Sequence, residues 1–177
     1  MEQYYPGTTV LIQDTDDLTA WLASILRVTD GLSLSQICSL CGIEPTTIQN
    51  WVKRGYIPRP VNKKYYEKHL YRILLISSLK EGLQIDQVND LMVSINGDVE
   101  DESDDIISDA KLYEIFCSIV IQDVSADQID PLIALTAGEN NRRLFLGLRI
   151  MVSSYLASLY KKQIKEDFAD LKKLSIS

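Results

Sequence analysis

Histidine is nearly absent from this chain of 177 residues: His69 stands alone. One imidazole argues against a histidine-based metal site or a nucleophile–His–acid triad. Cysteine is scarce too, with three in all. Cys38 and Cys41 have CxxC spacing, but no second CxxC or His pair exists to complete a zinc tetrahedron. Both thiols, like Cys117, are expected as small apolar residues on helix faces. No glycine-rich loop suited to cradling phosphates occurs, and no catalytic constellation. The chain is therefore not expected to be an enzyme, and neither cofactor nor metal is expected. No apolar run approaches a membrane span, and the N-terminus lacks a cationic stretch followed by an apolar one. With so few cysteines, this predicts a cytoplasmic protein with reduced thiols and no membrane partner.

The apolar share is 46%, which suits a globular protein. The length allows one good core, or a small domain plus an appendage. The net charge is -7, but it is unevenly spread. Between Ser33 and Gly82 lie eight cations (Lys53, Arg54, Arg59, Lys63, Lys64, Lys68, Arg72, Lys80) against three anions. A basic window in an acidic chain turns one face toward phosphate and repels it elsewhere.

That window holds the most specific pattern. Leu34, Ile37, Cys38 and Cys41 fall at helical intervals, behind a capping-box pair, Ser33 and Gln36. Gly42 permits a sharp turn, Ile43 follows as a buried plug, and Pro45 suits the first turn of a second helix. That helix is expected to bury Ile48, Trp51 and Val52 and to show Thr46, Thr47, Gln49, Asn50, Lys53 and Arg54. Gly55 ends it. Tyr56 to Tyr65 is rich in proline and cations and reads as a turn or small wing.

Two packed helices with a polar, donor-rich second member suit reading of the major groove of double-stranded DNA. Gln49 and Asn50 match adenine edges, and the Thr46 and Thr47 methyls match thymine methyls. Lys53, Arg54, Arg59, Lys63 and Lys64 suit phosphates. Tyr65 either joins them at the sugar-phosphate chain or packs the wing onto the core, as do Tyr56 and Tyr66. His69 would add partial charge nearby.

The run Leu34 to Ile57, with Gly42, Pro45, Ile48, Trp51 and the Gly55-Tyr56-Ile57-Pro58 exit, resembles the DNA-binding half of MerR-type regulators. Tyr65, Leu70, Ile73, Ile76, Gly82, Leu83 and Val88 continue the likeness. The wing lacks the Gly-Tyr-Arg tip of that group, and Gln49 stands where Arg is common. A closer resemblance is to an uncharacterised bacterial family, domain of unknown function 1836. It is carried by Asn50 to Gly55, Ser94 to Asp98, Asp104-Asp105, Leu112-Tyr113 and Phe116-Cys117, over roughly two thirds of the chain. The resemblance implies a MerR-like fold and a role in transcription, without a known effector or operator.

Elsewhere, residues 1–13 read as a loosely held lead-in. Residues 14–30 read as an amphipathic helix capped by Asp14 or Thr15, with Leu18, Trp21, Leu22, Ile25 and Leu26 on its buried face. A helix from Glu67 ends at Gly82, and Gln84 to Ser94 forms another. The acidic run 98–105 lacks the register of a calcium loop and reads as a solvated stretch feeding a helix N-terminus. A helix over 106–122 has Ser108 as an internal capping candidate. Ser125 and Gln128 open a helix that Pro131 shortens or kinks.

The last helix, 139 to about 174, is apolar on a broad arc at first. It then narrows to a stripe of Ile164, Phe168, Leu171 and Leu174. A narrow stripe is an interhelical seam. Either the same chain covers it or a second copy does, and a homodimer is the favoured expectation.

The expected fold is thus mainly α. A MerR-like winged helix-turn-helix domain over 1–97 is followed by an all-α region, 98–177, for dimerisation or regulation. The leading function is a sequence-specific DNA-binding transcriptional regulator, a repressor by preference. The alternative is a protein-interaction module that docks through the helix-turn-helix surface and the acidic half.

Overall fold

Local chemistry sets where the first helices begin. A computed structural model describes residues 3–12, 17–97, 106–122, 124–138 and 141–174. Among these the chain is mainly helical, with eight α-helices and only isolated β-bridges. Helix α1 (Leu18–Thr29) is capped by Asp17, whose carboxylate accepts the Ala20 amide at 2.9 Å. The expected caps Asp14 and Thr15 lie outside the described residues. Helix α2 (Leu34–Cys41) starts with both capping-box bonds made: Gln36 Oε1 takes the Ser33 amide at 2.8 Å, and Ser33 Oγ takes the Gln36 amide at 3.3 Å. Gly42 then turns left-handed at φ 63°, Ile43 is buried, and Pro45 opens α3 (Pro45–Lys53).

The buried face of α1 differs from the expected one. Leu18 and Leu22 face inward, whereas Trp21 is 38% exposed. The lead-in is also not loose. Tyr5 is buried, the Thr9 amide donates to the Leu40 carbonyl at 2.8 Å, and the Tyr113 hydroxyl donates to the Pro6 carbonyl at 2.7 Å. An aromatic anchor and bonds to distant elements hold this segment, whose local sequence shows no helical period.

Helix α4 (Glu67–Leu79) is the axle. Every residue from His69 to Leu79 is buried, the signature of a helix enclosed on all sides. It packs against α2, α5 (Ile85–Asn96), α6 (Asp109–Val120) and α8 (Arg142–Leu174), while α7 (Ile129–Ala137) packs on α6 and α8. One apolar core runs through all these elements and is continuous across residue 97. The acidic run 98–105 lies outside the described residues.

Three expectations at helix ends change. Ser108 is the true cap of α6, accepting the Lys111 amide at 3.2 Å, so the helix starts later than the apolar pattern suggests. Pro131 falls in the first turn of the nine-residue α7, where it breaks no helical bond. Gly82 does not cap α4, which ends three residues earlier. A Cβ there would lie 2.4 Å from the Ser154 backbone oxygen, so glycine is needed for the close approach of α8.

Helix α8 has 33 residues and is about 50 Å long at the usual rise. Its first half buries Leu144, Leu148, Met151 and Val152. From Leu159 to Leu174 every residue is exposed. The stripe of Ile164, Phe168, Leu171 and Leu174 is therefore exposed among the described residues.

Candidate functional site

The second helix of the basic window has two unlike faces. Ile48 and Trp51 of α3 are buried, and Val52 is half-buried. On the other side Thr46, Gln49, Asn50 and Lys53 are exposed. Thr47 is half-buried and lines a hollow with Trp51 and Gly82, which turns it away from that outer face.

Arg54 is exposed, yet it is engaged. Its Nη2 lies 2.9 Å from Asp86 of α5, and its guanidinium sits 4.7 Å over the Tyr56 ring. The Tyr56 hydroxyl donates to the same Asp86 oxygen. That hydrogen bond to a carboxylate holds the phenol above its ordinary pKa, so it stays a donor. The cluster ties the carboxyl end of α3 to the amino end of α5.

The basic segment after α3 is a two-residue hairpin. Val61 and Lys64 exchange both backbone bonds, at 3.1 and 2.8 Å. Asn62 and Lys63 between them have φ of 51° and 62°. Two positive φ values define a type I′ turn, in which Asn-Gly is the easy pair. Lys63 keeps the second position with its side chain exposed. Left-handed backbone costs a non-glycine residue about 1–2 kcal/mol.

The neighbouring residues are committed to structure. Lys64 is half-buried, and its ammonium donates to the Thr29 and Gly31 carbonyls at 3.3 and 3.2 Å, capping the negative end of α1. Tyr65 is 4% exposed, and its backbone exchanges two 2.8 Å bonds with Leu32. It packs the hairpin onto the core and so offers little surface to a nucleic acid. Arg59 is exposed.

His69 is buried and brings no charge to the surface. Its Nδ1 accepts the Tyr66 amide at 3.0 Å, so the ring carries its proton on Nε2, which donates to the Arg59 carbonyl at 3.0 Å. One neutral imidazole thus pins the start of α4 and the base of the hairpin. The clue was its position three residues after Tyr66, where a capping box normally has Glu or Gln. Arg72, counted in the basic window, is also buried and faces Asp109. The Cys41 thiol is buried, and desolvation pushes its pKa up to about 12, so it is a neutral packing group.

Comparison with known proteins finds a family model described as Domain of unknown function (DUF1836), which matches residues 25–116. This span runs from α1 into α6 and includes both α3 and the hairpin. The chain is also similar to an uncharacterized protein, YkrK, of Bacillus subtilis (strain 168), at 30% identity over 100 residues. That match covers 54% of this chain and 42% of the relative, so the chain spans well under half of that protein's length. No solved structure matches the chain.

Proposed function

This chain belongs to the family described as Domain of unknown function (DUF1836), and from that footing we propose that it is a DNA-binding transcriptional regulator. The helices α2 and α3 act as a MerR-like helix-turn-helix, and the Val61–Lys64 hairpin acts as a short wing. The protein works in the cytoplasm and most simply represses. One observation supports this reading above the others: α3 is locked by Ile48 and Trp51 and leaves Thr46, Gln49, Asn50 and Lys53 exposed. Those are side chains that pair with adenine edges, thymine methyls and phosphates. Lys63 adds support, because a cation is kept at a turn position where glycine would be less strained. Lys53, Lys63 and Arg59 are the main phosphate contacts, and Arg54 and Lys64 divide their charge between the fold and the nucleic acid.

The partner copy engages the exposed half of α8. Ile164, Phe168, Leu171 and Leu174 follow one another at three- and four-residue steps and are each more than half exposed. A narrow stripe of this kind is buried by a matching helix. A symmetric pair of α3 helices would then face a two-fold symmetric operator.

The test is selection of bound fragments from a genomic library, followed by titration of the best fragment and of random DNA at two salt concentrations. A preferred sequence, bound more weakly as salt rises, supports the reading. No binding at low salt up to tens of micromolar, where even nonspecific contacts register, overturns it and favours a protein-interaction role.

A further inference from the structure

Beneath the hairpin lies a cavity of about 430 Å³, within the size range of small-molecule sites. Pro58, Val61 of the hairpin, Tyr66 just before α4 and Tyr71 within it give it apolar walls. Arg72 lines its floor and is 97% buried, since its exposure is 3%. Its hydrogen bonds are all long: Nε to the Tyr56 carbonyl at 3.4 Å, and Nη1 to the two Asp109 oxygens at 3.4 and 3.5 Å. Its Nη2 has no partner. An unmatched buried guanidinium nitrogen is costly, and guanidinium binds carboxylates with two parallel bonds.

The floor also includes the amino end of α6. Ser108 Oγ satisfies the Lys111 amide, while the Ala110 amide in the first turn has no intrahelical acceptor. Asn96 fixes this end in place, donating to the Ile107 carbonyl at 2.6 Å and accepting the Ile107 amide at 3.4 Å. Arg72, Asn96 and the first turn of α6 thus line the same cavity as the apolar side chains. The charged lining is two cations, Arg72 and Lys68, and two anions, Glu67 and Asp109. The lining is thus neutral overall, and Glu67 and Asp109 disfavour a ligand with more than one negative charge.

We infer that this cavity binds a small monocarboxylate with an apolar body, its carboxylate on Arg72 and the first turn of α6. The site does not depend on the DNA reading. It shares Val61 with the hairpin, so occupancy is felt there first.

Amide and arginine side-chain NMR of the full chain tests it, with benzoate, benzamide and inorganic phosphate as probes. Benzoate should give saturable shifts at Val61, Ala110 and Arg72 Nε at concentrations of about 1 mM. Benzamide and phosphate should bind at least about tenfold more weakly. Arg72→Lys should weaken benzoate by a similar factor. Ala110→Leu keeps the arginine, fills the space and should abolish the shifts, which guards against misfolding of the first variant. Saturation by benzamide or phosphate as readily as by benzoate overturns the assignment. So does the absence of saturable benzoate shifts, or unchanged benzoate binding in a folded Ala110→Leu variant.

Discussion

Helices α3 and α4, nine and thirteen residues long, are separated by the hairpin and use their residues in opposite ways. Helix α4 is enclosed along eleven consecutive positions, from His69 to Leu79. Helix α3 buries Ile48 and Trp51 and displays most of the rest. Burial of α4 holds the fold together, and His69, Ser78 and part of the Arg72 guanidinium are spent on internal contacts. The polar groups of α3 have no such employment. The contrast teaches that a polar surface is informative where the fold does not consume it: Asn50 is exposed, while Arg72 and His69, equally polar, are inside.

The contrast is sharpest in stability. Leu74→Ala in α4 should cost about 2–5 kcal/mol, read by chemical denaturation, because the fully buried site cannot collapse around the lost volume. An equal loss from Asn50→Ala would erase the distinction between the two helices. Gly82→Ala should cost about 1–3 kcal/mol by the same measurement, since the new methyl meets the Ser154 backbone.

Substitution on the outer face of α3 should act on binding instead. Asn50→Ala is expected to weaken the preferred DNA site by about 1–3 kcal/mol and random DNA hardly at all, with the melting temperature unchanged. Equal losses on both would remove Asn50 from the base-reading set.

Lys63→Gly separates folding from binding within one residue. Relief of the left-handed strain should raise stability by up to about 1 kcal/mol, while affinity for all sequences falls and its salt dependence flattens. Asp86→Ala should be the mildest, at under about 1 kcal/mol of stability, because the Arg54–Asp86 pair is solvent-exposed. It also releases Arg54, so DNA affinity should rise slightly.

How far the sequence reveals this molecule depends on the reach of the interactions. Ser33 with Gln36, Gly42, Ile43 and Pro45 are all readable, because each partner lies within a few positions. Trp21 and Leu18 are harder to tell apart, since hydrophobicity alone does not give the rotation of α1. The Pro6–Tyr113 bond, the Lys64 cap on α1 and the Gly82–Ser154 approach join residues far apart in the chain, and no local pattern encodes them. At the candidate site, the outer face of α3 follows from its period. The commitment of Arg54, Lys64 and Tyr65 to structure does not, because their partners Asp86, Thr29 and Leu32 belong to other elements.

The close seating of Ser154 on Gly82 anchors α8 near its middle. Beyond it the exposed length from Leu159 to Leu174 extends for about 24 Å. The seat itself lies on the short link between α4 and α5. Four residues further along stands Asp86, whose grip on Arg54 ends at the tail of α3. The seat of α8 on Gly82 and the Asp86–Arg54 pair that reaches the outward-facing helix thus lie four residues apart at the start of α5.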